Sequence, residues 1–397
     1  MNFNNILSKI SESFKNTKGA SVLGVDIGSS SIKIVQLQKK NGAAVLQTYG
    51  EIALGPYAGI EIGRSTKLDA DKLAEALRDV LTESNVSTVD AAVTIPMSAS
   101  MVSVFEMPDM NNKQLSQMIP IEARKYIPVP ISEVALDWFV IPKAGGAKED
   151  DRFESTSPSA TSNTTASGAV SEKKQSENKT GNKIETMVVA IHNDTLNDYS
   201  NVVSKTGLKV SFFEIEMFAT SRAVLDSDFT SPVMIMDIGA NATKVYVTER
   251  GIVRNSHSIG RGSQDLTMNI SRSFNIDVNY AEKMKRSFGK NDPEKDKQIA
   301  ELVDNVFNPI FGNANTVMLN FQKKHNKNIS KVILVGGGSL LSGITEKAQK
   351  YFAVQTEPGL PFDKIQTPAF LEPVLQKNGV MFAGAIGLAL RKLQELE

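Results

Sequence analysis

An α/β chain of two similar lobes facing one shared cleft is predicted by three observations. A buried strand running into an Asp-x-Gly turn and a returning strand occurs twice, from Val22 to Leu37 and from Val233 to Thr248, about half the chain apart. That separation is too long for a solenoid period and suits two homologous lobes. Elsewhere strand-like and helix-like segments alternate, as in an α/β layer. The 397 residues also exceed the size at which a single hydrophobic core is usual.

The bulk properties narrow the function classes. A hydrophobic fraction of 41% with 22% charged residues is that of a globular chain, so any disorder should be local. Lys plus Arg and Asp plus Glu both number 44, which leaves no broad positive field for non-specific nucleic-acid binding. The absence of cysteine removes disulfides, thiolate metal sites and cysteine nucleophiles, and fits a reducing, cytoplasmic setting. No apolar run approaches the roughly 20 residues needed to span a bilayer, and no signal peptide is evident at the N-terminus. His192, His257 and His325 are too scattered for a histidine metal site or a catalytic triad.

Residues 1–20 read as a leader with Phe3, Ile6, Leu7, Ile10 and Phe14 at helical spacing, suited to docking on its own domain or to a membrane surface or partner. The first lobe is expected over 21–216, with an amphipathic helix from Leu68 to Val80 and a strand from Val89 to Ile95 stopped by Pro96. A subdomain inserted at about 97–190 holds a helix between Met110 and Tyr126, with Leu115, Met118, Ile119, Glu122 and Tyr126 on one face and Pro120 interrupting it. Lys143 to Lys183, almost free of large apolar residues, is expected to be a disordered loop. A strand from Met187 to Ile191, a helix from Leu196 to Thr206 and a strand from Lys209 to Ile215 resume the α/β rhythm. The second lobe follows over 217–380, and 381–397 form a C-terminal helix in which Ala383, Gly384 and Gly387 permit close helix crossing.

The candidate chemistry lies in the turns. In Asp26-Ile27-Gly28-Ser29-Ser30-Ser31-Ile32-Lys33, Gly28 lets the backbone turn so that successive N–H groups face phosphate oxygens, and the serines add hydroxyl donors. Lys33 supplies a point charge for a β- or γ-phosphate, and Asp26 a carboxylate for Mg2+, held through water because magnesium dehydrates reluctantly. The second turn, Asp237-Ile238-Gly239-Ala240-Asn241-Ala242-Thr243, repeats this from the other lobe: Asp237 is the matching carboxylate, and Asn241 and Thr243 are polar tip residues. Either turn alone would be an ordinary hairpin; the ordered pair carries the argument. A buried strand from Val332 to Val335 ends in Gly336, Gly337, Gly338 and Ser339, allowing close backbone approach to a base or sugar.

These elements, in this order, resemble the actin-like ATPase superfamily that includes actin, Hsp70, MreB and FtsA, over Val22 to Leu393. The resemblance implies two RNase-H-like lobes around a nucleotide cleft, with ATP and Mg2+ as ligands. It makes the Asp26 and Asp237 turns the two phosphate loops, Gly336 to Ser339 the adenosine loop, and Val380 to Leu390 a connecting helix. It places Glu216 near the attacking water, although Met217 stands where relatives carry proline, and sets Glu282 and Lys285 of Ala281-Glu282-Lys283-Met284-Lys285 against ribose and adenine. A solvated helix face is the other reading of that last segment.

Met107-Pro108-Asp109-Met110, Glu122-Ala123, Tyr126-Ile127-Pro128-Val129-Pro130 and Asp137-Trp138 are similar to the extra subdomain of the PilM family of type IV pilus assembly. That resemblance implies a cytoplasmic ATP-binding switch at the inner face of the inner membrane. Its partners would be the N-terminal segment of a PilN-like membrane protein, other pilus assembly components and further copies of itself. Slow ATPase activity stays open. An FtsA-like, membrane-associated, polymer-forming protein is the alternative, and a small-molecule kinase would need a substrate motif that is not found.

Overall fold

The computed structural model describes residues 20–142, 183–226, 228–290 and 292–396. The leader and the segment expected to be disordered lie outside them, except Ala20 and Lys183. The chain forms two compact units: residues up to Ser100 together with those from Asp194 onward, and Met101–Asn193.

The first unit contains two five-stranded sheets of identical design. In one, β1 (Ser21–Ile27), β2 (Ser31–Lys40), β3 (Ala43–Ala53), β4 (Asp90–Ile95) and β8 (Lys209–Ile215) take the order β3-β2-β1-β4-β8. In the other, β9 (Val233–Ile238), β10 (Thr243–Glu249), β11 (Ile252–Ile259), β12 (Lys331–Val335) and β13 (Thr356–Pro358) take the order β11-β10-β9-β12-β13. Each begins as an antiparallel three-stranded meander and continues with two parallel strands. The meanders close alike: Asn41-Gly42 and Arg250-Gly251 all have positive φ, as a two-residue hairpin turn requires. The Asn41-Gly42 pair is a strong hairpin signal and accounts for β3, which the strand-by-strand sequence reading did not contain.

Helices cover the sheets. In the first lobe, α1 (Ala70–Glu83) is capped by Asp69, whose side chain accepts from the Lys72 N–H, and buries Ala74, Leu77 and Val80 against β1 and β4. In the second, α5 (Ser263–Phe274), α6 (Val278–Arg286), α7 (Pro293–His325) and α8 (Ile344–Phe352) share a core with Met234, Met236, Val245, Val247, Val332 and Leu334. The 33-residue α7 starts at the Asp292 cap with Pro293 at its first position, and its buried stripe runs from Ile299 through Val303, Phe307, Ile310, Ala314 and Phe321.

Two helices join the lobes: α4 (Glu216–Val224) leaves β8, and α10 (Ala383–Gln394) returns after the short α9 (Glu372–Asn378). They meet backbone to backbone. A Cβ at Gly387 would lie 1.8 Å from the Ala219 carbonyl oxygen, and one at Gly24 of β1 would lie 1.9 Å from that of Ala385. Glu214 fastens the crossing: it accepts two hydrogen bonds from Arg222 (2.9 and 2.8 Å) and one from Arg391 (2.8 Å), while Arg222 also donates to the Gly387 carbonyl (3.0 Å).

The second unit is a three-stranded sheet in the order β5-β7-β6, made of β5 (Ser100–Pro108), β6 (Val134–Ile141) and β7 (Lys183–His192), together with α2 (Asn112–Ala123). It runs to Asn193, where α3 (Asn193–Ser204) begins. Lys183 is the first residue of β7, ion-paired with Glu106, and so belongs to a strand and not to the loop expected to end with it. Pro120 lies inside α2, as expected, but the buried face is Leu115, Ile119 and Ala123. Met118 and Tyr126 are exposed instead; Tyr126 lies beyond the helix end and stacks on Phe105 with centroids 4.9 Å apart.

Because no side chain fits at the crossing, Gly387→Val should shift backbone in both α4 and α10 and destabilise the protein by roughly 3 kcal/mol or more. Urea unfolding monitored by circular dichroism should show a lower midpoint than for a substitution at the exposed Glu395 of the same chain.

Candidate functional site

The duplicated hairpins place matching groups at matching positions. Asp26 pairs in register with Lys33 across β1 and β2, and Asp237 with Lys244 across β9 and β10. At each tip a glycine N–H donates to a carbonyl three residues on, Gly28 to Ser31 and Gly239 to Ala242, both at 3.0 Å. Among the described residues nothing accepts from the N–H groups of Ser29, Ser30, Ala240 or Asn241, which leaves four backbone donors at the two tips.

The side chains then diverge. Asp26 accepts from the Thr94 hydroxyl (2.7 Å), and a Cβ at Gly384 would come within 3.0 Å of its carboxyl carbon, so α10 covers it. Lys33 stays within its lobe, donating to the Ser31 hydroxyl (2.7 Å) and pairing with Glu51 at 3.4 Å. Lys244 instead reaches Glu216 at 2.8 Å and Asp237 at 3.4 Å. Glu216, the first residue of α4, is buried, and its other oxygen accepts from the Met97 N–H at 2.9 Å. Burial alone would pull the Lys244 ammonium down, but the carboxylates of Asp237, Glu216 and Asp26 outweigh it and hold Lys244 protonated.

The three-glycine turn after β12 packs on the second hairpin because it lacks side chains. A Cβ at Gly336 (φ +82°) would lie 2.3 Å from an Asp237 carboxylate oxygen, and one at Gly338 2.3 Å from Ile238. Gly337 is exposed, and the Ser339 hydroxyl donates to the Gly336 carbonyl (2.7 Å). Asn241 is exposed at its tip, whereas Thr243 is buried and its hydroxyl donates to the Arg261 carbonyl (3.0 Å).

Glu282 and Lys285 form a tight buried pair at 2.7 Å, and Glu282 also accepts from Thr267 (2.7 Å) and Arg286 (2.8 Å). The first lobe reaches this network through residues 54–66. Gly63 lies against the Glu282 carboxylate, and the Ser65 N–H donates to the Gln264 side chain (2.8 Å). The same segment donates to the first tip, from Leu54 to Ser30 and from Thr66 to Ser29, both at 2.9 Å. The structure thus gathers Asp26, Asp237, Glu216 and the Gly336–Gly338 turn around the paired hairpins, and links Glu282 and Lys285 to them through this strap.

Lys244 was missed as a site residue, although it follows Asp237 at the same spacing by which Lys33 follows Asp26. Thr94 and the 54–66 strap carried no sequence signal. Among the described residues no group of three or more metal-binding side chains is assembled, and no helix is long and apolar enough to cross a membrane.

The family model described as type IV pilus assembly protein PilM matches residues 24–157 and 172–393. The chain belongs to the PilM family. Among solved structures, a PilM-PilN type IV pilus biogenesis complex aligns with a TM-score of 0.73 at 22% identity, covering 94% of this chain and 98% of that one. MreB 5 of Spiroplasma citri bound to AMPPNP aligns at 0.51 and 11% identity, covering 95% and 97%. Cell division protein FtsA of Neisseria meningitidis is 25% identical over 199 residues, 42% of this chain and 47% of its own length, and that of Escherichia coli K12 is 24% identical over 204 residues. The chain spans about half the length of these curated relatives. The architecture is that of the actin-like ATPases, two RNase-H-like lobes with a PilM-type extra subdomain, and the protein is an actin-like member of the pilus assembly family.

Burial would push the Glu282 carboxyl up, but Lys285, Arg286 and Thr267 together hold it below its ordinary range. Its contribution is therefore present above the unfolded-state carboxylate pKa and lost as pH falls through the lower folded-state value. Glu282→Gln should cost roughly 3 kcal/mol at pH 7, and the gap to the wild type should close in acid; urea melts at pH 7 and pH 3.5 would show it.

Proposed function

We propose that this protein is an ATP-binding switch whose two lobes close on Mg-ATP and so set the binding of a PilN-like membrane protein's cytoplasmic N-terminal segment. The observation that carries the reading is the duplicated hairpin pair, with an Asp, free tip N–H groups and a Lys at the same register positions in each lobe.

Asp26 and Asp237 would hold Mg2+ through its water shell, since no chelating cluster is assembled among the described residues. The cation supplies charge neutralisation, because the Asp26 and Asp237 carboxylates stand at the two phosphate-facing turns and would otherwise repel a polyphosphate. Gly28, Ser29, Ser30 and Ser31 with Lys33, and Gly239, Asn241 and Thr243, form the two phosphate-facing turns, Thr243 by bracing its hairpin. Gly336 to Ser339 offers a backbone surface to the adenosine, and Glu282 and Lys285 of the same lobe would face ribose and adenine. Both carboxylate oxygens of Glu216 are engaged, by Met97 and Lys244.

The partner assignment rests on family membership and on the likeness to the PilM-PilN complex. It implies work at the cytoplasmic face of the inner membrane alongside other pilus assembly components.

Calorimetric titration with Mg-ATP, then with a peptide copying the start of a PilN-like protein, tests both halves. Nucleotide and peptide should bind, and Asp26→Ala should weaken Mg-ATP binding by about a hundredfold or more. Nucleotide binding without peptide binding, accompanied by nucleotide-dependent polymers in sedimentation, would favour the FtsA-like alternative. Absence of nucleotide binding would overturn the switch.

A further inference from the structure

Two lysines occupy the same register position on the two hairpins, yet only one bridges the lobes. Lys33 is held by Ser31 and Glu51 on the first sheet. Lys244 starts on the second sheet and reaches Glu216, whose other oxygen is held by the backbone of Met97 at the end of the first sheet. Its side chain is 21% exposed, and of its three N–H donors two are engaged, by Glu216 and Asp237. Among the described residues no acceptor takes the third.

A part-buried ammonium with a spare donor, set beside the second tip and its unpaired N–H groups, is equipped to accept a further anion. The incoming anion must compete with carboxylates at 2.8 and 3.4 Å. A terminal phosphate carries close to two charges and three acceptor oxygens at neutral pH and can therefore compete, but the β-phosphate of ADP is terminal too, so the discrimination has to come from which phosphate position the reach of Lys244 meets and not from charge.

We infer that Lys244 reads the terminal phosphate of a nucleoside triphosphate, giving up its bond to Glu216 as it does so. The inference rests on the nucleotide reading of the cleft. It makes the Lys244–Glu216 pair an exchangeable link between lobes: made in the diphosphate state, broken in the triphosphate state, with α4 carrying the change because Glu216 is its first residue.

The test is titration of the purified full chain with Mg-ATP and Mg-ADP, for the wild type, Lys33→Met, Lys244→Met and the double variant Glu216→Gln/Lys244→Met. The double variant removes both charges of the buried pair, so it keeps the test open should Lys244→Met alone leave Glu216 uncompensated and fail to fold. The wild type should prefer ATP to ADP, and Lys244→Met and the double variant should lower that preference about tenfold or more with ADP affinity held within about threefold. Lys33→Met should weaken both nucleotides. An unchanged ATP-to-ADP ratio in the double variant, or an equal loss for both nucleotides, would overturn the inference while leaving the nucleotide site standing. A wild type that binds neither would overturn the site itself, and the inference with it.

Discussion

The close passage of two helices between the sheets is the constraint on which the cleft depends. At Gly24 and Gly387 the contact is main chain against main chain, with no room for a methyl group. That closeness puts Gly384 over Asp26, and the helix it packs against begins at Glu216, so two carboxylates of the site lie along the same crossing. Glu214 with Arg222 and Arg391 then fixes it with charge-assisted hydrogen bonds in a buried setting, where breaking one partner is costly.

Around this crossing a duplicated design has become asymmetric. The sheets share strand order and hairpin register, and the tips share the same glycine turn. Yet Asp26 answers to the hydroxyl of Thr94, whereas Asp237 answers to Lys244. In one lobe a hydroxyl holds the carboxylate, and in the other a lysine does so while also crossing to Glu216 of its neighbour. Related halves thereby hold matching carboxylates through different partners. The same economy appears in the 54–66 strap, which touches the first tip and the second lobe's Glu282 network and so connects both ends of the site.

Much of this was legible in the sequence. Buried runs flanked by Asp-x-Gly turns identified both hairpins, because a strand buried on two faces must be apolar throughout and its turn must admit a tight backbone. Other signals are equally local. Asn41-Gly42 marks the turn into β3, and Asp292-Pro293 followed by a long apolar stripe marks the start of α7. The face of α2 was misassigned at Met118 and Tyr126, since apolar character alone does not say which side of a short helix meets a sheet. Lys244 was present in the repeat spacing, but its importance rests on Glu216, which is adjacent only in space.

The sequence by itself determined the two-lobed α/β class, the pair of hairpins and the residue types at their tips. These follow from local periodicity and turn chemistry, which act over a few residues. Tertiary structure alone decided which lysine faces Glu216, which hydroxyls are spent on internal carbonyls and how near the two connecting helices come. Those outcomes depend on distances between residues far apart in the chain, and such distances are set by how the sheets and helices pack as solids.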